Sequence, residues 1–484
     1  MRPTPFAAAT LLAALAGCAA TPPAAPERQT AGATASQALE PRAKNIIFFL
    51  GDGMGMNTLT AARIYAVGED GELAIDKLPE SAFVKTFSND AQVTDSAASM
   101  AAYMTGVKQN NGVVSMSSDT RSVSPGPDAN GNNLVSRCAN GQPVPTLLEL
   151  ARRRGMALGV VTNTSVTDAT PATTYSHFCH RKLENDIAAS LVPNGAGYNK
   201  ELGARGLDVV FGGGAQFFTP FAKGGKRADN RDLLAELEAQ GFTVARDTAQ
   251  FEALKPGRPA IGLFAPNHMA YDAVRNPAQQ PELAAMARKA IDMLAPNPNG
   301  FVLIVEGGLI DHALHATLGK RALQETVAYN AALQAAIDRM QAIDPGLKHT
   351  LIVATADHDH TLLLNGYTAR TGKTTPGNPG VLGLVRGLDG KPKLDKDGMP
   401  YTIIGFGTGE NRYAGNRSKQ RMLTDEIVSA DDYHQEAAVR TRPGAETHGG
   451  ADVYLGAIGA GSELFRGTID NTRVFSLIKT AAGL

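Results

Sequence analysis

Asn45-Ile46-Ile47-Phe48-Phe49-Leu50, followed at once by Gly51-Asp52-Gly53-Met54-Gly55, is the stretch that decides the fold. An apolar run without polar alternation suits a strand covered on both faces, and the glycines mark where it hands the chain to a loop. Runs of the same kind recur at Ala157–Thr162, Asp208–Phe211, Ala260–Phe264, Phe301–Val305, Thr350–Ala354 and Val453–Ile458. Helical patterns lie between them at Asp232–Gln240, Pro281–Leu294 and Lys320–Ala342. This alternation predicts an α/β protein, a three-layer sandwich whose large, mainly parallel central sheet carries helices on both faces. Between Asn365 and Glu446 the chain turns rich in Gly, Pro, Lys, Arg and Asn. Apolar periodicity breaks there, which predicts an insertion at about 366–445 that decorates the sheet.

The composition limits what such a fold can do. Of 484 residues 43% are hydrophobic, and 46 Lys+Arg face 47 Asp+Glu. That excludes a wholly disordered chain and argues against a nucleic-acid binder held by phosphate contacts. At the N-terminus Met1-Arg2 leads into apolar Phe6 to Ala16 and then Leu15-Ala16-Gly17-Cys18, a bacterial lipoprotein cleavage pattern. Residues 1–17 read as a signal peptide, Cys18 as the lipidated first residue, and 18–43, rich in Ala, Pro and Thr, as a flexible tether. The apolar run is too short for a membrane span. Residues 44–484 then form the one folded domain of a protein expected to be exported, periplasmic or at the cell surface. In that oxidising setting Cys138 and Cys179 are expected to pair.

Open α/β sheets bind ligands where loops leave the carboxyl ends of their strands, so polar residues there carry the chemistry. Gly51-Asp52-Gly53-Met54-Gly55 has G-x-G-x-G spacing, not the G-x-G-x-x-G of a dinucleotide loop, and Asp52 would put negative charge where a pyrophosphate belongs. Asp52 reads better as a metal ligand. After Phe301–Val305 comes Glu306-Gly307-Gly308-Leu309-Ile310-Asp311-His312-Ala313-Leu314-His315. With a helix starting near Leu309, Asp311 and His315 stand one turn apart on one face, an oxygen and an imidazole that suit zinc. Asp357-His358 after Thr350–Ala354 resembles a second half-site. His448 precedes Gly449-Gly450, glycines that would let the backbone approach an ion. In Thr94-Asp95-Ser96-Ala97-Ala98-Ser99, Ser96 falls at a helix N-terminus, where free N–H groups favour an anion. Taken alone Ser96 reads as an N-cap; near divalent metals it reads as a nucleophile.

Together NIIFFLGDGMG, VTDSAAS, TDATPATTYSHFCHR, VEGGLIDHALH, TADHDH and ETHGGADV, in this order, resemble the alkaline phosphatase family. The resemblance implies a phosphomonoesterase with two Zn2+ and one Mg2+ per chain. Carried over by position, Asp311, His315 and His448 would hold the first zinc; Asp52, Asp357, His358 and the nucleophile Ser96 would hold the second. Asp52, Thr170 and Glu306 would hold magnesium, with Asp168 reaching it through water. Arg181, thirteen residues after Asp168, would grip the phosphate. His312 stands where the family carries Lys, Trp or His and would bear on phosphate affinity and the third metal. The insertion resembles the crown-like one of animal members, which implies an overhang above the pocket and a homodimer.

That set implies in-line attack of Ser96 on phosphorus, a phosphoseryl intermediate and a second displacement by water. Arg181 offers a planar fork to two phosphate oxygens, which a lysine cannot imitate. Ser96 and Arg181 together favour monoesters over the phosphodiesterases and sulfatases of the same superfamily. A dinucleotide oxidoreductase is disfavoured by the glycine spacing, and a phosphate-capturing lipoprotein would differ in lacking turnover.

Overall fold

The computed structural model describes residues 42–127, 134–137 and 140–484. The signal peptide, all but the last two residues of the tether and Cys138 lie outside the described residues. The main sheet has ten strands: β1 (Asn45–Gly51), β2 (Glu80–Lys85), β3 (Ala157–Ser165), β4 (Val209–Gly213), β5 (Thr243–Ala245), β6 (Ala260–Leu263), β7 (Phe301–Gly307), β8 (Thr350–Ala356), β9 (Val453–Gly459) and β10 (Gly467–Asp470). Their spatial order is β10-β2-β9-β8-β1-β7-β3-β4-β6-β5. Pairing is parallel from β8 through to β5. β9 alone runs against its neighbours β8 and β2, while β10 pairs parallel with β2.

β1 is the centre, and its apolar run is explained by what covers it. Ile46 to Leu50 have no exposed surface. Successive side chains on a strand point to opposite faces. Phe48 meets the ring of Tyr103 on α2 (Ser96–Thr105), with centroids 5.5 Å apart, and Phe49 meets Tyr329 on α6 (Gly319–Ile343) at 5.8 Å. One layer thus contains α1 (Met56–Val67), α4 (Leu283–Leu294), α5 (Leu309–His315) and α6; the other contains α2, α3 (Ala169–Tyr175) and α7 (Asn471–Ala482). The expected three-layer α/β architecture is the one observed.

All seven expected strands are in the sheet, and the three expected helices are Leu233–Ala239, Leu283–Leu294 and Gly319–Ile343. The sequence did not announce β2, β5 and β10. In β2 exposed and buried residues alternate from Ser81 to Lys85, so no continuous apolar run exists to be read. β10 and β5 are the short edge strands. Between 366 and 445 the main sheet takes no strand. Two strands of this segment instead join Leu362–Leu364, just before it, in a separate small sheet, Leu362–Leu364 pairing antiparallel with Ile404–Gly409 and the latter parallel with Ala437–Arg440. It is tied back to α1, where Asn57 Nδ2 donates to the Leu362 carbonyl.

Candidate metal centre and active site

The carboxyl ends of β1, β7, β8 and β3 lie side by side, and each delivers the polar residues that follow it. Asp52 follows β1, Asp311 and His315 lie on α5 after β7, Asp357 and His358 follow β8, and Asp168 caps α3 after β3. His448 is brought in by a two-residue pairing of His448–Gly449 with Asp359–His360.

Ser96, Asp52, Asp357 and His358 converge. Ser96 Oγ lies 3.4 Å from Asp52 Oδ1 and 3.3 Å from His358 Nε2, and His358 Nε2 lies 3.3 Å from both Asp52 Oδ1 and Asp357 Oδ2. Asp357 Oδ1 accepts from the backbone N–H groups of Gly53 (2.9 Å) and His358 (3.0 Å), whereas its Oδ2 is buried with no hydrogen-bond partner. His358 Nδ1 faces the Asp359 carbonyl at 3.2 Å. A carbonyl only accepts, so Nδ1 carries the proton and the Nε2 lone pair is free. Asp95, not Ser96, is the N-cap of α2: its side chain accepts from Ala98 N at 3.0 Å. Capping by Asp95 releases the Ser96 hydroxyl toward the carboxylates, which corrects the N-cap reading of Ser96.

The second group is Asp311, His315 and His448. Nε2 of His315 lies 3.3 Å from Asp311 Oδ1 and 3.1 Å from Nε2 of His448. Their Nδ1 atoms face carbonyls, Glu446 at 2.6 Å and Thr94 at 2.8 Å. Both Nε2 atoms therefore present lone pairs to each other, an arrangement that a shared cation relieves. His360 belongs geometrically to this cluster. Its Nε2 lies 2.7 Å from Asp311 Oδ1 and its Nδ1 2.5 Å from Glu446 Oε2. Burial works against its charge, but the two carboxylates prevail and push its pKa up to about 10. With both nitrogens donating, His360 orients Asp311 and offers no lone pair of its own. The glycines around it make room: a Cβ on Gly53 would come within 2.5 Å of His360 Cδ2, and one on Gly449 within 2.6 Å of the His360 carbonyl. Gly449 thus serves strand pairing.

Thr170 Oγ1 lies 3.3 Å from Asp52 Oδ2, and Glu306 Oε2 accepts from Thr162 and from Thr164 (3.1 Å). Burial, reinforced by Asp168 and Asp357, pushes Glu306 up to about 7. Burial pushes Asp357 up to about 6 and, with Asp357 and Asp311 as neighbours, holds Asp52 well above the carboxylate range. Carboxyls so placed mark a site that needs cations.

Arg181 stands between two carboxylates, with one terminal nitrogen 3.2 Å from Asp95 Oδ2 and the other 3.1 Å from Asp168 Oδ1. The fork is thereby oriented. His312 Nε2 lies 3.7 Å from Asp168 Oδ2, and burial, which opposes its charge, is outweighed by Asp168, Asp311 and Glu306. The sequence reading missed His268, whose ring sits edge to face with His312 at 4.4 Å and which forms a group with Asp168 and His312. No motif signals it. The backbone N–H of Ser165 donates to His268 Nδ1 at 3.1 Å, so the neutral ring carries its proton on Nε2.

A sequence model of the alkaline phosphatase family matches residues 43–484. The tissue-nonspecific alkaline phosphatase of Gallus gallus is 35% identical over 466 residues, covering 88% of this chain and 82% of that protein. The isozyme of Homo sapiens is 33% identical over 472 residues, covering 91% and 84%. Among solved structures, alkaline phosphatase of Thermus thermophilus superposes with a TM-score of 0.65 at 24% identity, covering 96% of each chain. That of the Antarctic bacterium TAB5 gives 0.62 at 21%, covering 92% of this chain and 98% of the other. The chain belongs to the alkaline phosphatase family. It is a phosphoric monoester hydrolase.

Proposed function

We propose that phosphate monoesters are hydrolysed through a phosphoserine at Ser96, on a centre of two Zn2+ and one Mg2+ held by the three groups above. The observation that carries this reading is the serine itself: Ser96 Oγ is held within 3.4 Å of Asp52 and His358, beside the orphaned Oδ2 of Asp357. The donor sets fit the ions. Asp311, His315 and His448 offer one oxygen and two imidazole lone pairs, and Asp52, Asp357 and His358 offer two oxygens and one, both suited to zinc. Asp52, Thr170 and Glu306 offer oxygens alone, with Asp168 close by, which suits magnesium. A TAB5 alkaline phosphatase mutant carries Mg in its M3 site, which supports the third assignment. Bound there, the ions would lower the pKa of the serine hydroxyl and stabilise the oxygen that leaves.

The chain's own groups do the rest. Arg181, braced by Asp95 and Asp168, presents its fork to two phosphate oxygens and sets phosphorus in line with Ser96 Oγ. Ser96 Oγ gives its proton to solvent as the Oγ–P bond forms and the ester P–O bond breaks, and the alkoxide released takes a proton from solvent. Water then attacks phosphorus, the Oγ–P bond breaks, inorganic phosphate leaves and Oγ takes up a proton to restore the hydroxyl. His312 stands beside Asp168, next to the phosphate grip, where burial opposes its charge and Asp168 favours it.

The test is a substrate panel with metal analysis. The purified protein is expected to release phosphate from p-nitrophenyl phosphate far faster than nitrophenol from the bis ester or the sulfate, with about two zinc and one magnesium bound. A preference for the diester or the sulfate would replace this reading with another activity of the superfamily.

Because His360 orients Asp311, His360→Ala is expected to weaken zinc binding about 10- to 100-fold. The measurement is the zinc concentration that half-restores phosphate release to chelated protein, with activity recovered at saturation. An unchanged zinc requirement would remove His360 from this role. We also propose export with a lipid anchor at Cys18, a Cys138–Cys179 disulfide, and a homodimer in which residues 366–445 take part. The lipoprotein-like start of the sequence supports the first two, and the similarity to animal relatives supports the last.

A further inference from the structure

Past Arg181 the sheet edge continues into a second concavity. It lies at the carboxyl ends of β4 and β6, with a volume of about 450 Å³, and is lined by Lys182, Glu184, Asn185, Gln216, Lys226 and Asn267 among others. It is linked to the phosphate grip along the chain at two points. Lys182 directly follows Arg181, and consecutive Cα atoms are about 3.8 Å apart; Asn267 directly precedes His268, the residue packed on His312. Gln216 Nε2 donates to Asn267 Oδ1 at 3.0 Å and Asn185 Nδ2 to the Lys226 carbonyl at 3.0 Å, so the wall is tied together.

Its charge is unbalanced. Lys182 and Lys226 are exposed, and among the described residues neither ammonium has an ion pair or hydrogen bond. Glu184, the acidic member, is turned inward and accepts from Thr167 Oγ1 at 2.7 Å. A simple monoester spends its charge at Arg181 and the centre beyond it, and leaves these two ammonium groups unused. A cavity of this size suits a small ligand, and amides together with two lysines in its lining suit hydroxyls and an anion.

We propose that this cavity is a second anion subsite, which selects phosphate monoesters whose released alcohol carries another phosphate. The inference rests on the phosphomonoesterase reading. Its test compares kcat/KM for fructose 1,6-bisphosphate, fructose 1-phosphate and p-nitrophenyl phosphate in the zinc- and magnesium-loaded protein. The wild type is expected to prefer the bisphosphate about fivefold, through KM, and to lose that preference in high salt. Lys182→Ala combined with Lys226→Ala should abolish the preference and leave p-nitrophenyl phosphate hydrolysis unchanged, while the corresponding pair of Lys→Arg changes retains it. A wild type without preference, or a double alanine variant that keeps it, overturns the subsite and leaves the phosphatase standing. Absence of phosphate release from all three esters overturns both.

Discussion

Ser96→Ala is expected to lower kcat for p-nitrophenyl phosphate by about 10,000-fold or more, because in the proposed two-step route the residue forms the covalent bond. The geometry makes this a clean substitution. The hydroxyl is buried at the first position of α2, and Asp95, not Ser96, caps that helix, so removing Oγ leaves the cap and the fold intact. Asp52, Asp357 and His358 remain to hold the ion of their half-site, and Arg181 keeps its two carboxylate braces. Bound metal and phosphate affinity should therefore change far less than turnover. Acid-quenched wild-type protein incubated with radiolabelled phosphate should carry label on Ser96, and the alanine variant none. Activity within tenfold of wild type would mean that water attacks the ester directly and that Ser96 is only a neighbour.

How much of this was legible in the sequence follows from which interactions are local. Asp311 and His315 could be paired because helical geometry alone puts positions four apart on one face, and Asp357-His358 because both sit at one strand end. The buried strands were legible since a strand covered on both faces has no polar alternation, and β2 was not because half its residues face solvent. Long-range capture of one residue by another left no local trace. Thr361 and His360 both bind Glu446, yet 446 lies more than eighty positions further on, and nothing in Glu446-Thr447-His448 separates a ligand from an anchor. Asp168 and Arg181 were joined only through family resemblance. His268 had no signal at all, since its role comes from a loop after β6 that the sheet order sets beside β3's own loop through β4.

Removing the metals should expose what the carboxylates cost. Asp52, Glu306 and Asp357 are buried together, and without cations their charges are neither solvated nor paired. Burial first, then repulsion from neighbouring carboxylates, Asp311 and Asp168 among them, raises all three, with Glu306 up to about 7 and Asp357 up to about 6. A carboxyl whose folded pKa exceeds its unfolded one binds its proton more tightly when folded. It supports the fold fully below the unfolded value, near 4, and that support fades as pH rises through the folded value. His358 acts in the opposite sense, since burial and His448 hold it well below the usual histidine value, but its effect is confined to pH below about 6.5. Between pH 6.5 and 8.5 Glu306 and Asp357 finish losing their protons, and His360, held up to about 10, keeps a proton that the unfolded chain gives up, so all three lower stability as pH rises. Chelated protein is expected to lose stability across that interval, with Glu306 contributing on the order of 1 kcal/mol there and the rest of its roughly 3 kcal/mol at lower pH. Metal-loaded protein, whose carboxylates are ionised throughout and paired with cations, should change little. Thermal melts at both pH values, with and without chelator, read the difference directly. The gap between holo and apo melting temperatures should widen by several degrees at the higher pH and close when zinc and magnesium are restored. An apo protein equally stable at both would show that these carboxyls are neutralised by neighbours within the fold, and that the cations are not what the cluster is built to receive.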